Sequence, residues 1–185
     1  MTSAEDYLSI LPPILGMHND YTPIVREVEK LFSKPARPNY NLPVSIVIPV
    51  YNRRDKLFKT IAAIVHQSYP AELIEVIIAD DGSSDSPEDA IELFKSNLSI
   101  KHVHQEDLGY RLSEVRNLGV DTAKHEHIII LDCDMLPEPQ LVESYMRFMH
   151  VTDRAILVGP RRYVNSDNIT FQNILTDINS ALSLP

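Results

Sequence analysis

Short apolar runs alternate with segments of helical periodicity along most of this chain. The apolar runs predict strands and fall at residues 44–50, 74–79, 100–104, 128–131 and 155–158. The segments with helical spacing fall at residues 55–67, 112–124 and 140–149, and a further helix is predicted from Pro87, capped by Ser86. Strands that alternate with helices of ~10–15 residues predict βαβ units. We therefore expect an α/β fold, with a mostly parallel sheet flanked by helices.

The two ends of the chain follow a different pattern. Prolines punctuate the first 42 residues and leave one predicted helix, at 23–32. We interpret residues 1–42 as an N-terminal helical extension that ends in a linker, residues 33–42. The α/β domain is expected at 43–165. Residues 166–185 are expected to form one last helix as a tail, or to begin a further portion of the protein.

The composition limits the kinds of partner that the protein is expected to bind. The chain has 185 residues, of which 17 are basic and 26 acidic, for a net charge of -9. This balance argues against nucleic acid as the main partner, because phosphate backbones need clustered Lys and Arg. No run approaches the ~20 apolar residues of a membrane helix, and no basic stretch precedes an apolar one at the N-terminus. With Cys133 as its single cysteine, the protein is expected to be cytoplasmic, or peripheral to the inner face of the membrane.

Two acidic clusters directly follow predicted strands. Asp80 and Asp81 end one strand, and Asp132 and Asp134 end another. The carboxyl ends of parallel strands meet at one edge of the sheet, which is where α/β folds bind ligands. Hard cations take carboxylate oxygens and complete their coordination with water and phosphates. The sequence thus predicts a site for a divalent cation and a phosphate-bearing ligand.

Each acidic cluster also has a simpler interpretation. On an extended segment Asp132 and Asp134 point the same way and can approach one cation, but they are alternatively solvated acids that close a strand. In the other cluster, Gly82 permits a positive φ, and a carboxylate can accept from a ribose hydroxyl or a base N–H. The alternative is a capping turn without a ligand.

Residues near the other predicted strand ends are weaker candidates. Pro49 stiffens the exit of the first strand, and Tyr51 has a flat apolar body with a polar tip, which suits a base pocket. Arg116 can bind a diphosphate through two parallel hydrogen bonds, or it can pair with Glu114 or Asp121 on the surface.

The histidines occur in two pairs with strand spacing. These pairs are His102 with His104, and His125 with His127. Either pair could bind a metal, but no third His or Cys lies at a recognisable spacing. We therefore interpret all four as exposed strand residues.

Four motifs together resemble a family 2 glycosyltransferase of GT-A fold. They are residues 45–52, 80–85, 116–119 and 132–134, and the resemblance covers about residues 44–164. Within that family, residues 109–111, the Asp-Cys-Asp motif and residues 158–163 look most like modules of bacterial chondroitin- and hyaluronan-type synthases.

The resemblance implies a role for each matching residue. A UDP-sugar would be the donor, and Mn²⁺ or Mg²⁺ the cofactor, held by Asp134 together with Asp132. Family members transfer the sugar with inversion, by direct attack of a hydroxyl on a saccharide or other acceptor, in polysaccharide or glycoconjugate synthesis. The nucleotide-binding residues would be Pro49, Tyr51, Asn52, Asp80, Asp81, Arg116 and Asp132.

One part of the family pattern is not matched. Direct displacement needs a general base, which the family supplies as an Asp or Glu well downstream of the metal motif. The acids that follow Asp134 sit in no matching context; they are Glu138, Glu143, Asp153, Asp167 and Asp177. We therefore expect the donor-binding part of a longer enzyme, with its general base elsewhere.

Other classes fit the motifs less well. A non-catalytic nucleotide-sugar-binding module is the main alternative to the enzyme. A phosphatase of the haloacid-dehalogenase type would need a lysine after its Asp-x-Asp motif, and Lys124 is the last lysine. Sugar nucleotidyltransferases and dinucleotide-binding folds would need glycine-rich loops that this chain lacks.

Overall fold

A four-stranded parallel sheet forms the centre of the protein, in the strand order β3-β2-β1-β4. The computed structural model describes residues 22–33, 41–152, 155–164 and 168–182. The strands are β1 (Val44–Val50), β2 (Ile74–Asp80), β3 (Ser99–His104) and β4 (His127–Ile130). The helices are α1 (Thr22–Phe32), α2 (Arg54–Val65), α3 (Glu88–Phe94), α4 (Leu112–Thr122), α5 (Leu141–Met149), α6 (Phe171–Thr176) and α7 (Ile178–Leu182), and a 3₁₀ turn, Ala71–Leu73, precedes β2. The predicted α/β class is confirmed.

The two central strands, β1 and β2, are buried along their whole length. Helices cover both faces of the sheet, which explains why these strands are continuous apolar runs without alternation. Residues of α2, α3, α5, α6 and α7 share one core with β1 and β2, whereas α4 packs on the other face through Val115, against Val47, Ile77 and Ala79. At Gly119 of α4 a Cβ atom would collide with the side chain of Val47, so this helix lies close to the sheet.

The tail is part of the same core. Phe171 of α6 makes edge-on contacts with Phe58 of α2 and Phe94 of α3, at centroid distances of 5.8 and 5.9 Å. Ile174 and Ile178 are buried in the same core. Packing of this kind stabilises the position of α6 on the domain.

A buried polar network lies at the amino end of the sheet. Glu75 of β2 is 2% exposed and accepts hydrogen bonds from the Ser45 hydroxyl (2.7 Å) and the Lys124 backbone N–H (3.0 Å). The ammonium group of Lys101 lies 2.8 Å from the other carboxylate oxygen. Burial alone would raise the pKa of Glu75, but these donors and the Lys101 charge outweigh it and lower the pKa to about 2.

Three sequence predictions need correction. The fifth strand, at 155–158, is wrong: these residues are irregular, and Ile156 and Val158 are 95% and 89% exposed. Among the described residues β4 pairs only with β1, so the 155–158 backbone has no strand partner, and an apolar run alone does not make a strand. The tail forms two short helices, because Asp177 is extended between them. Helix α3 begins at Glu88, one residue later than predicted, and the Ser86 hydroxyl accepts from its first N–H (3.3 Å).

The predicted helix of the extension is confirmed as α1, which packs against α5 with Val28 buried. Most of the predicted extension and linker, residues 1–21 and 34–40, lies outside the described residues. No helix within the described ranges has the length and apolar character needed to cross a bilayer.

Candidate functional site

The carboxyl ends of the strands bring most of the predicted site residues to one edge of the sheet. Val50, Asp80 and His104 are aligned with one another across β1, β2 and β3. On the other side of β1, the N–H of Leu131, just past β4, donates to the carbonyl of Val47 (2.9 Å). Because the strands are parallel and in this register, the segments after all four of them meet at this edge.

Asp80 ends β2 and is 2% exposed. Its Oδ1 atom accepts from the Ser83 backbone N–H (2.9 Å), and its Oδ2 atom lies 3.2 Å from Nδ1 of His104. Burial raises the pKa of this carboxyl group, but the hydrogen bonds from Ser83 and His104 outweigh it, so the pKa is lowered. Asp80 is thus a buried carboxylate that its neighbours orient and keep ionised at neutral pH.

Asp81 is also buried, and it connects three segments. Its backbone N–H donates to the carbonyl of Val50 (2.9 Å). Its carboxylate accepts from the backbone N–H of Arg111 (3.2 Å) and from the side-chain amide of Gln105. The loop between β3 and α4 is therefore fixed to the end of β2.

Tyr51 lies beside this loop and is 45% exposed. Its hydroxyl donates to Oδ2 of Asp107 (3.0 Å), and this hydrogen bond and the Asp107 charge raise the pKa of Tyr51. Gly82 lies in the loop after β2 and allows this loop to come close to the loop between β3 and α4. Its φ is +86°, and a Cβ atom on it would lie 2.5 Å from the backbone nitrogen of Asp107. The predicted positive φ at Gly82 is confirmed.

Asn52 lies just after β1, in contact with the loop that follows β2, whereas Pro49 lies within β1. Asn52, at φ +48°, donates its backbone N–H to the Ser83 hydroxyl (2.9 Å), and its side-chain oxygen accepts from the Ser84 N–H (2.8 Å). Asn52 thus joins the exit of β1 to the exit of β2. Pro49 is buried within β1 beside Ala79, so it shapes the strand and does not line the open edge.

Arg116 reaches the same edge from α4. Its Nη2 atom lies 2.7 Å from Oδ1 of Asp132, and the two side chains are 34% and 46% exposed. Of the two surface pairings left open, neither is present: Glu114 pairs with Arg111 (2.9 Å), and Asp121 is exposed. Arg116 is therefore directed at the carboxyl end of the sheet.

The Asp-Cys-Asp motif forms a turn, which corrects the prediction of an extended segment. The Met135 N–H donates to the carbonyl of Asp132 (3.1 Å), which closes the turn. The chain leaves β4 after Ile130 and has no strand partner at the motif, so the alternation of side chains along a strand does not apply. Asp134 is exposed, and within the described ranges its carboxylate has no hydrogen bond or ion pair.

A sequence profile described as Glycosyl transferase family 2 matches residues 45–180. This chain belongs to glycosyl transferase family 2. It is 40% identical to a chondroitin synthase of Pasteurella multocida (strain Pm70) over 95% of the chain, and 42% identical to a chondroitin synthase of Escherichia coli over 90%. The resemblance predicted from the motifs is confirmed.

This family 2 chain covers a small part of those relatives. It spans 18% of the Pasteurella chondroitin synthase and 24% of the Escherichia coli chondroitin synthase. Among solved structures it is similar to S. aureus TarS 1-349 in complex with UDP-GlcNAc, with a TM-score of 0.55 and 21% identity over 59% of this chain and 31% of that one. It is also similar to the mannosyltransferase PcManGT from Pyrobaculum calidifontis in complex with GDP-Man and Mn²⁺, with a TM-score of 0.53 and 23% identity over 69% of this chain and 39% of that one. The predicted GT-A fold is confirmed.

Two residues that lie near the Asp-Cys-Asp turn were not among the predicted site residues. Thr60 is fully buried in α2, and its hydroxyl lies 2.8 Å from the carbonyl oxygens of both Cys133 and Met135. A polar residue on the buried face of a helix was the signal available in the sequence. Arg53 is exposed beside a cleft of about 420 Å³ between the start of α2 and Asp85. Its charge is close enough to lower the pKa of Cys133, so a cation lies near the Asp-Cys-Asp turn.

Cys133 itself is an unreactive part of the turn. Burial, followed by the Asp134 charge, raises the pKa of its thiol to about 11. A thiol that stays protonated at neutral pH is a poor nucleophile. Cys133 is therefore a small, partly buried residue between two acids.

The histidines are only partly as predicted. The side chains of His102 and His104 are 24% and 53% exposed, so His102 is mostly covered. With Asp80 they form the group of three described residues whose ligand atoms all lie within 4.8 Å of one another. The third candidate ligand that the sequence pattern lacked is thus a carboxylate from the neighbouring strand.

Proposed function

We propose that this chain is the donor-binding part of an inverting, metal-dependent glycosyltransferase. It would bind a UDP-sugar and transfer the sugar to a hydroxyl group of a saccharide acceptor in polysaccharide or glycoconjugate synthesis. The observation that carries this proposal is the meeting of oriented carboxylates, Asp80 and Asp81, with the Arg116–Asp132 pair at one edge of the sheet.

The uridine would bind where the exits of β1 and β2 meet. Tyr51 is exposed, and its ring offers a flat surface for the base. The negative charge of Asp81 contributes to the raised pKa of Tyr51, so the two side chains are near each other. Asp80 and Asp81 each keep an acceptor lone pair beyond the hydrogen bonds already made, so either can accept an N–H of the base or a ribose hydroxyl. Their orientation by neighbouring groups lowers the entropy cost of binding.

The diphosphate would lie between Arg116 and the Asp-Cys-Asp turn. A guanidinium group matches the geometry of phosphate oxygens, and Arg116 is already held at the edge by Asp132. Arg53 supplies a second cation near the turn. The complex of the mannosyltransferase with GDP-Man and Mn²⁺ supports a donor of the same chemical class here.

Asp134 and Asp132 would hold Mn²⁺ or Mg²⁺. The residues fit such a group, because Asp134 is exposed with its oxygens uncommitted, and hard divalent cations take carboxylate oxygens together with water and phosphates. When bound, the metal neutralises negative charge on the departing nucleoside diphosphate. Thr60 holds the turn that carries both carboxylates.

The acceptor hydroxyl would attack the anomeric carbon directly, which inverts its configuration. Glu143 does not serve as the general base, because it is buried, accepts from the Ser68 hydroxyl and pairs with Arg147 (2.7 Å). We assign no described residue to that role. The names of the chondroitin and hyaluronan synthase relatives support a saccharide acceptor.

A panel of UDP-sugars tests the proposal. The chain is incubated with each donor, Mn²⁺ and chondroitin or hyaluronan oligosaccharides, and elongated products are separated from released UDP by chromatography. Because no described residue is assigned as the general base, we expect this chain to bind at least one donor and release UDP from it without efficient elongation of the acceptor, and we expect this release to be lost in Asp134→Ala. Donor binding without UDP release from any combination would identify the alternative, a non-catalytic nucleotide-sugar-binding module. Absence of donor binding would reject both.

A further inference from the structure

The edge strand β3 carries a histidine pair that faces a buried carboxylate. His104 lies directly beside Asp80 in the parallel register, and His102 lies beside Ile78, two residues earlier. Residues two apart on a strand share a face, so both imidazoles are on the side of the sheet to which Asp80 points. Nδ1 of His104 and Nε2 of His102 lie 3.2 and 3.6 Å from the same oxygen, Oδ2 of Asp80.

Hydrogen bonding to Asp80 explains the position of His104 but not that of His102. The His104 contact has the length of a hydrogen bond, but the His102 contact is too long for one. Nε2 of His102 is buried and has no hydrogen-bond partner in the part of the chain that the structure describes. A buried polar atom without a partner carries a desolvation cost, which a bound cation would remove.

The distances match a metal site better than a histidine–carboxylate contact alone. Ligand atoms at ~2.0–2.1 Å from a tetrahedral Zn²⁺ lie about 3.3 Å apart, close to the 3.2 and 3.6 Å separations found here. The remaining separation, between the two imidazole nitrogens, is within 4.8 Å. Oδ1 of Asp80 is held by the Ser83 N–H, which leaves Oδ2 as the ligand atom.

We propose that Asp80, His102 and His104 form a binding site for a borderline transition metal ion such as Zn²⁺, separate from the hard-cation site at Asp132 and Asp134. Two imidazoles and one carboxylate are the donor set of an open zinc site, with water in the fourth position. β3 is an edge strand, so solvent reaches the site from that side. A metal ion at this site coordinates Oδ2 of Asp80, and this oxygen then no longer accepts a hydrogen bond from the nucleotide. Zn²⁺ therefore antagonises donor binding. This second consequence rests on the proposed function, whereas the metal site does not.

Calorimetric titration of ZnCl₂ into the untagged chain, without nucleotide, tests the metal site. We expect one Zn²⁺ per chain in the wild type, and binding at least about tenfold weaker in His102→Gln/His104→Gln and in the single variant His104→Gln. The matched control is His125→Gln/His127→Gln, which removes two histidines near the opposite end of the sheet, where His127 lies beside Val44. Equal affinity in the wild type and the His102/His104 variant, or loss of binding in the control instead, would overturn the proposal.

A second titration, of UDP with and without Zn²⁺ in saturating Mg²⁺, tests the antagonism. We expect Zn²⁺ to weaken UDP binding at least about fivefold in the wild type and to have no effect in His102→Gln/His104→Gln. Equal UDP affinity with and without Zn²⁺ in the wild type would overturn the antagonism. Absence of UDP binding under all conditions would overturn the proposed function, and the ZnCl₂ titration would still decide the metal site.

Discussion

Arg116 and Asp132 form an ion pair, with Nη2 of the arginine 2.7 Å from Oδ1 of the aspartate. The pair joins the helix on one face of the sheet to the end of β4. Each side chain is about one-third to one-half exposed, so a ligand at this edge can reach both. In the proposed site, Asp132 fixes the guanidinium in the position where the diphosphate binds.

Substitution Arg116→Gln should weaken UDP binding roughly ten- to a hundredfold, because hydrogen bonds to a charged group contribute about 1.5–3 kcal/mol. The measurement is calorimetric titration of UDP in Mn²⁺. The control Arg26→Gln, on the exposed side of α1, removes the same charge and should keep the wild-type affinity. An equal loss in both variants would show that only net charge matters.

Gly82 and Gly109 offer a matched pair for testing the contact between the loops. Both have a positive φ, but a Cβ atom at Gly109 meets nothing within 4 Å, whereas at Gly82 it meets the backbone of Asp107. Gly109→Ala should cost about 1–2 kcal/mol of unfolding free energy, and Gly82→Ala about 2–4 kcal/mol. Urea unfolding measures both values. Only Gly82→Ala should also weaken UDP binding, because it displaces the Asp107 partner of Tyr51; equal effects of the two variants would refute the steric argument.

Thr60 should position the Asp-Cys-Asp turn through its hydroxyl. Thr60→Val keeps the shape but removes the hydroxyl donor that the carbonyl oxygens of Cys133 and Met135 share, at a cost of about 1–2 kcal/mol. We expect metal-dependent UDP affinity to fall, while metal-free UDP affinity changes less. Thr60→Ser retains the hydroxyl and should recover most of the affinity. Equal UDP affinity in the valine variant and the wild type would show that the turn does not need this donor.

Glu75 should make the stability of the protein depend on acidic pH. Its pKa is about 2 in the folded chain against an ordinary value of 4.5, so ionised Glu75 stabilises the fold above pH 4.5, and this contribution is lost as the pH falls through 2. The shift corresponds to roughly 3 kcal/mol. The difference in unfolding free energy between the wild type and Glu75→Gln should therefore shrink by about that amount from pH 7 to pH 2. A constant difference, measured by urea unfolding across this range, would contradict the role of Glu75.

Most of the sheet was predictable from the sequence, because β1 and β2 are buried on both faces and each acid cluster follows an apolar run directly. The position of the acids at one edge then follows from parallel pairing alone. The same reasoning failed at residues 155–158, where an apolar run predicted a strand that the structure does not contain. An apolar run such as the one containing Ile156 shows only the potential for a strand, and pairing requires a neighbour whose place the pattern does not give.

Side-chain partners were harder to predict than elements. The choice of Asp132 over Glu114 as the partner of Arg116 depends on how closely α4 approaches the sheet, which Gly119 permits. The role of Thr60 depends on a carbonyl group 73 residues away in the chain. The Asp80–His104 contact requires the register of β2 against β3, which no local pattern specifies.

The central claim is that this edge binds a nucleotide donor with the help of a metal at Asp134. Titration of UDP into the folded chain, with and without Mn²⁺, tests it most directly beside Asp134→Ala and the control Asp121→Ala, an exposed aspartate on α4. We predict Mn²⁺-dependent binding in the wild type and in Asp121→Ala, and at least about tenfold weaker binding in Asp134→Ala. No UDP binding by the folded wild-type chain, or equal binding in Asp134→Ala, would contradict the account.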